Sequence, residues 1–195
     1  MTSFADLGVV RPLAQALAHS GFSEPFPIQI ATLPDAIKGR DVLGRGRTGS
    51  GKTLAFSLAL LSRLDNRKAK RGKPLALVLS PTRELAMQIN EVISPLARKV
   101  GLSSVLIAGG MPFGRQLQAL DHGVPIVVAT PGRLIDLMHR GAVDLSDIEI
   151  TVLDEADLMS DMGFMPDVKE ILSATNQDGQ RLLFSATLDK DVDAL

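Results

Sequence analysis

Residues 46–53 read Gly46-Arg47-Thr48-Gly49-Ser50-Gly51-Lys52-Thr53, which satisfies G-x-x-x-x-G-K-[ST]. Glycines at 46, 49 and 51 let the backbone curl so that successive N–H groups converge on phosphate oxygens, and a following helix adds its positive end. Lys52 then reaches the β- and γ-phosphates of a nucleotide, and Thr53 offers a hydroxyl to Mg²⁺. A flexible glycine-rich turn is the alternative, but an apolar run before the loop and a helical pattern after it supply the strand–loop–helix setting that phosphate binding needs. Lys52 reads as a cation on an exposed loop, so its removal is expected to cost nucleotide binding without unfolding. A second piece is Val152-Leu153-Asp154-Glu155-Ala156-Asp157, an apolar run ending in adjacent carboxylates. Asp154 suits a magnesium anchor and Glu155 the base acting on an attacking water, because two acids with different partners can divide those roles. A surface acidic turn is the competing reading, and the apolar approach through residues 150–153 disfavours it.

These groups need a frame. Apolar runs predict strands at 41–43, 75–79, 104–108, 125–129, 150–154 and 181–185, most of them the near-continuous Val/Ile/Leu segments of sheets buried on both faces. Helical patterns lie between them at 10–18, 28–37, 52–64, 84–99, 115–120, 133–139 and 167–174, with Pro166 suited to the first position of the last. The alternation predicts a doubly wound, mainly parallel α/β domain whose ligands gather beyond the carboxyl ends of the strands. With 195 residues the chain is one domain, too short for two complete lobes.

Composition narrows the chemistry. No cysteine excludes disulfides, thiolate zinc and cysteine nucleophiles, and the three histidines, His19, His122 and His139, stand at no ligand spacing, so any metal is a hard, oxygen-bound one. No signal peptide or membrane span is recognisable, and a cytoplasmic protein is expected. With no Trp or Tyr and 7 Phe, a base-stacking platform is disfavoured, so any nucleic acid is expected to be held by its backbone. The net charge is −1, yet residues 38–73 hold eleven Lys/Arg against two Asp while residues 141–170 hold nine Asp/Glu against one Lys. The basic block is expected to surround something anionic. Within it, residues 63–73 (RLDNRKAKRGK) read either as a solvated loop or as a phosphate contact.

Asp154-Glu155-Ala156-Asp157 is the D-E-A-D signature, and the chain resembles the N-terminal RecA-like domain of DEAD-box ATP-dependent RNA helicases along essentially its whole length. Phe4 together with Gly21-Phe22-Ser23-Glu24-Pro25-Phe26-Pro27-Ile28-Gln29 resembles the adenine-reading Q motif, so that residues 1–30 form the Q-motif region and 31–195 the RecA-like domain. Residues 46–53 resemble motif I, Pro81-Thr82-Arg83-Glu84-Leu85-Ala86 motif Ia, Gly109-Gly110 the glycine doublet, Thr130-Pro131-Gly132-Arg133 motif Ib, residues 154–157 motif II and Ser185-Ala186-Thr187 motif III.

The resemblance implies ATP and Mg²⁺ as ligands, with Gln29 pairing with the adenine edge and Phe4 or Phe22 packing near the base, unless those rings belong to the core. It implies that Ser185 and Thr187 link the acidic motif to the rest of the site. Sequence-independent RNA contact falls to Pro81, Thr82, Arg83, Gly110, Thr130, Pro131, Gly132 and Arg133. For Arg83 and Arg133 the alternative is a helix-start salt bridge, with Glu84 and Asp136 as available partners. The chain departs from the usual pattern at Phe26, where Thr or Ser is common, and at Gly46 and Arg47, where Ala and Gln are common. Gly46 is expected to make the loop more mobile. The family also implies a second RecA-like lobe with arginine-rich motifs, absent from these residues, so the chain is expected to bind ATP and Mg²⁺, to bind RNA weakly, to hydrolyse ATP barely above background and not to unwind a duplex. A non-catalytic ATP-gated RNA clamp is the competing class, disfavoured because a clamp does not need Glu155. A DNA helicase or unrelated ATPase is disfavoured by Gln29 with the D-E-A-D tetrad.

Overall fold

A computed structural model describes residues 1–188 and 190–195. Six parallel strands form one sheet: β1 Val42–Arg45, β2 Ala76–Leu79, β3 Ser104–Ile107, β4 Ile126–Ala129, β5 Ile150–Asp154 and β6 Gln180–Ser185, in the order β1-β6-β5-β2-β4-β3. Successive residues of a strand face opposite sides, and here both sides are covered. Val78, Val128, Val152, Leu182 and Phe184 pack beneath α1 Arg11–His19, α2 Pro27–Ile37, α3 Lys52–Arg63 and α4 Arg83–Lys99. Leu77, Leu79, Val127, Ala129 and Leu153 pack beneath α5 Phe113–Asp121, α6 Pro131–His139, α7 Ala156–Asp161 and α8 Met165–Ala174. Burial on both faces is why the strands read as unbroken apolar runs instead of alternating ones.

Chain punctuation sets the helix starts. Proline occupies the first helical position in α2 and α6, where its missing N–H costs nothing. Thr82 caps α4 by accepting from the Leu85 N–H at 3.2 Å. The proline of α8, Pro166, stands one residue inside the helix, which starts at Met165.

Three expectations are corrected. Strand β1 runs on through Gly44 and Arg45, which pair with Phe184 and Ser185. Gly44 is required there because a Cβ would collide with the Phe184 ring. The short helices α7 and α9 Lys190–Asp193 were not legible from periodicity. The basic segment 63–73 meets the chain's own carboxylates in place of the external anion that the block 38–73 as a whole suggested. It sits at the amino edge of the sheet, where Arg67 pairs with Glu149, Arg71 with Asp121 and Lys73 with Asp144, so that part of the basic block meets the chain's own acids.

Candidate active site

Sheet order assembles the carboxyl edge. Moving across it, the ends of β1, β6 and β5 carry the phosphate loop, Ser185 and Asp154-Glu155, and the ends of β2, β4 and β3 carry Pro81-Thr82-Arg83, Thr130-Pro131 and Gly109-Gly110. The phosphate loop and the acidic pair are therefore separated by one strand, β6, whose Ser185 C=O accepts the Gly46 N–H at 3.2 Å.

The loop is shaped by close approach. Gly49 and Gly51 have φ of +81° and +87°, the left-handed region that favours glycine. A Cβ on Gly51 would come within 2.7 Å of both Gln29 Nε2 and Phe26 Cδ2. Gly46 admits the side chain of Ile28, which a Cβ would meet at 2.6 Å. Its freedom is thus restricted by contact with the Q segment. Arg47, Thr48 and Gly49 are exposed, and the free N–H groups of the first turn of α3 point the helix's positive end along the loop.

Lys52 is not on an exposed surface: only 6% of it is accessible, and it lies between two carboxylates. Its Nζ stands 3.3 Å from Asp154 Oδ1 and ion-pairs with Glu155 Oε1. Burial pushes the Asp154 carboxyl up to about 6, and the Lys52 ammonium pulls against that rise without cancelling it. Burial also disfavours the Lys52 charge, but attraction by Asp154 and Glu155 outweighs it and lifts the ammonium above its ordinary value. Both shifts are upward because desolvation dominates at the acid and pairing at the base. Asp154 Oδ1 is buried, and beyond the ion pair with Lys52 it accepts no hydrogen bond from the described residues, so acceptor capacity remains. Glu155 takes a left-handed conformation, φ 54° and ψ 48°, rare for a residue with a Cβ and typical of functional turns.

No group of three or more metal-binding side chains exists among the described residues. The paired carboxylates of Asp154 and Glu155 are hard oxygen donors of the kind that Mg²⁺ takes one or two of, together with substrate phosphates and water. Asp154, whose Oδ1 meets only the Lys52 ammonium among the described residues, and the Thr53 hydroxyl are the groups available to it.

Asp157, quoted in the motif but given no role from sequence, is the link that Ser185 and Thr187 use. Its N–H donates to Ser185 Oγ at 3.2 Å, and its Oδ2 accepts the Thr187 hydroxyl at 3.0 Å and the Thr187 N–H at 3.2 Å. Burial pushes its carboxyl up, and the hydrogen bonds, led by the one from Thr187, pull it below the ordinary value. A carboxylate at i+3 from Asp154 was the available signal.

The Q segment closes the other wall. Gln29 is 2% exposed; its Oε1 accepts the Phe26 N–H at 2.7 Å and its Nε2 donates to the Gly51 C=O at 3.1 Å. Its amide thus tethers the segment to the phosphate loop. Phe4 is a core residue and Phe22 is exposed, and both border a cleft of about 1080 Å³ that also includes Gln29, Thr48, Lys52 and Glu155.

On the far half of the edge, Arg83 lies against Gly110, where a Cβ would come within 2.7 Å of its Nη1. Its contact with Glu84 is 4.0 Å, between well-exposed side chains, too loose to hold it. Arg133 does not pair with Asp136, which binds Arg140 at 2.9 Å. Its guanidinium instead donates to the Met111 C=O and lies over Phe113, neither of which the sequence singled out. The signal available was an aromatic three residues past a glycine doublet, in a chain with few aromatics.

Comparison with known proteins agrees with this geometry. The family model for DEAD/DEAH box helicase matches residues 26–195. The ATP-dependent RNA helicase DeaD of Escherichia coli is 46% identical over 192 residues, covering 98% of this chain and 30% of that protein. The Arabidopsis thaliana DEAD-box ATP-dependent RNA helicase 9, mitochondrial, is 44% identical over 189 residues, covering 95% of this chain and 31% of that one. The crystal structure of a DEAD box protein from the hyperthermophile Methanococcus jannaschii superposes with a TM-score of 0.90 at 35% identity, over 100% of this chain and 52% of that chain. The chain therefore spans about a third of the length of these curated relatives, and by its sequence, its sheet order and its carboxyl-edge loops it belongs to the DEAD/DEAH box helicase family.

Proposed function

We propose that this chain is the ATP-binding, RNA-contacting lobe of an RNA-dependent ATPase that locally separates short RNA duplexes. The observation that carries the reading is the carboxyl edge, where the Lys52–Asp154–Glu155 cluster and the N-termini of α4 and α6 stand side by side on one rigid sheet. The backbone of residues 46–51 cradles phosphate, while Lys52 leaves the carboxylates to pair with the β- and γ-phosphates. Asp154, released from Lys52, and the Thr53 hydroxyl would hold Mg²⁺, which would supply charge neutralisation at the phosphates. Glu155, released from Lys52, accepts a proton from the attacking water. Gln29 holds the adenine edge and the phosphate loop together. Phe22, exposed at the cleft mouth, covers the base, and the buried ring of Phe4 backs it. Asp157, through Ser185 and Thr187, carries a change at the acidic pair to the end of β6.

RNA is held by its sugar–phosphate backbone along Pro81-Thr82-Arg83, Gly110 and Thr130-Pro131-Gly132. Small residues and free N–H groups there allow close, sequence-independent approach. A second lobe completes the site, because transfer of a γ-phosphoryl group needs a cation on the developing charge and such an arginine contributes on the order of 10³–10⁵ in rate. Among the described residues no helix is long and apolar enough to cross a membrane. A cytoplasmic location belongs to this reading, although the Arabidopsis relative is named as mitochondrial. Joining a second lobe to residues 1–195 and assaying displacement of a short strand tests the reading. ATP-dependent displacement of RNA but not DNA supports it, and displacement of DNA alone refutes it.

A further inference from the structure

The segments that follow β3 and β4 are bound to each other by Arg133 of motif Ib and by residues outside the family signatures, Met111, Phe113 and Gln116. The Arg133 guanidinium carbon lies 4.0 Å from the centroid of the Phe113 ring. Its Nη1 donates to the Met111 C=O at 3.0 Å and to Gln116 Oε1 at 3.1 Å. Gln116, almost wholly buried, donates in turn to the Ala108 C=O at 3.3 Å. Arg140 also stands over Phe113, at 4.7 Å. Both flanks of Gly109-Gly110 are therefore held, Ala108 by Gln116 and Met111 by Arg133. Arg83 lies in a different situation, with its side chain 46% exposed beside Gly110 and, among the described residues, a carboxylate no nearer than 4.0 Å.

We propose that Phe113 and Arg133 form a strut that sets the glycine-doublet loop against the start of α6, and that Arg133 serves RNA binding by positioning this backbone while Arg83 supplies the phosphate cation. The inference rests on the RNA reading above. Stacking on the Phe113 ring and two hydrogen bonds from Nη1 fix the Arg133 guanidinium in place, so swinging it out toward a phosphate would break contacts that hold the loop. Two adjacent glycines lose much backbone freedom on ordering, so fixing them in advance lowers what RNA must supply to immobilise the loop. The N–H groups of residues 109–111 are then presented in one arrangement.

Titration of a fluorescent single-stranded RNA against residues 1–195 at several salt concentrations tests this. Phe113→Ala and Arg133→Ala are each expected to weaken binding roughly five- to tenfold, and the double variant no further than the weaker single one. Neither should change the slope of log affinity against log salt. Arg83→Ala should reduce that slope by about 0.7, the value for one phosphate contact on a single strand. Phe113→Tyr, which keeps the ring face, should bind as the unsubstituted chain does. Hydrogen exchange without RNA should accelerate across residues 108–116 in Phe113→Ala. A slope reduced by Arg133→Ala, with Phe113→Ala binding normally, would make Arg133 a phosphate contact and overturn the proposal. Unchanged exchange in Phe113→Ala also overturns it, and does so independently of RNA. Failure of the unsubstituted chain to bind any RNA removes the RNA reading, whereas the exchange result still decides whether the strut exists.

Discussion

Replacing Lys52 by alanine should affect the ligand-free protein as well as ATP binding, and the size of the effect depends on pH. Asp154 has a folded pKa of about 6 against an ordinary 3.8. Between those values the native state holds more protons than the unfolded one, so stability is fully present below about pH 4 and falls as pH rises through 6. A shift of roughly two units corresponds to about 3 kcal/mol. Lys52 is also shifted up, so the stabilisation it contributes is complete below its ordinary 10.5 and lost only as pH rises through its folded value. Without the ammonium, the buried Asp154 carboxylate is left without its counter-charge at high pH. Breaking such a buried pair costs about 3–5 kcal/mol, reduced here to about 2–3 because Asp154 can take up a proton instead. For a domain of this size that corresponds to a fall in Tm of roughly 5–10 °C at about pH 8. Near pH 5.5 Asp154 is mostly protonated with or without Lys52, and the fall should be less than about 3 °C. Thermal melts at the two pH values, with calorimetric titration of ATP and Mg²⁺, check both parts. An equal loss of Tm at both pH values would refute the electrostatic reasoning, and undiminished ATP affinity would remove the phosphate-loop assignment.

Gln29→Ala should weaken both ATP and GTP, because it releases the Phe26 N–H and the Gly51 C=O, at a cost of about 1–3 kcal/mol, and should weaken ATP more; equal losses in fluorescence titrations would make Gln29 a tether only. Gly51→Ala forces a Cβ to 2.7 Å from Gln29 and Phe26 at a φ of +87°, and is expected to lower ATP affinity more than tenfold, an effect of about 1.4 kcal/mol or greater; binding within twofold of the parent would show that the Q segment yields easily. Thr187→Val keeps the side-chain shape but removes the hydroxyl donated to Asp157, so ATP affinity should hold while RNA stimulation of a two-lobe enzyme falls. An unaltered ATPase response to RNA would separate Asp157 from the coupling.

The sequence made the interior strands and the long helices legible because their burial is written in residue type. The runs at β2, β4 and β5 are apolar at every position but Thr151 and Asp154, since helices cover both faces. Strand β1 was foreshortened because Gly44 and Arg45 carry no apolar signal; they are strand residues by virtue of Phe184 and Ser185 across the ladder. Helix α7 escaped because its cap is Glu155 in a left-handed conformation, unlike the Ser, Thr or Asp that announce a helix start. The strands bearing the phosphate loop and the acidic motif were identifiable, but not that β6 lies between them, because strand order comes from long-range pairing. Lys52 was misplaced on an exposed loop because its burial depends on carboxylates 102 and 103 residues away in sequence. The excess of basic residues at 38–73 suggested an anionic ligand for the same reason: the counter-charges of its 63–73 part, Asp121, Asp144 and Glu149, come together only in the folded chain.

Steady-state ATP hydrolysis with and without RNA, on residues 1–195 alone and joined to a second RecA-like lobe, tests most directly the claim that this chain is the nucleotide-binding half of an RNA-dependent ATPase. The isolated chain should bind ATP with Mg²⁺ yet hydrolyse it barely above background, with little gain from RNA, because an arginine worth on the order of 10³–10⁵ in rate is missing. The two-lobe protein should show RNA-stimulated turnover, and Glu155→Gln in it should keep ATP bound while blocking hydrolysis. Robust RNA-stimulated hydrolysis by residues 1–195 alone would contradict the account and direct attention to Arg45, Arg47, Arg83 and Arg133 as the source of the missing charge.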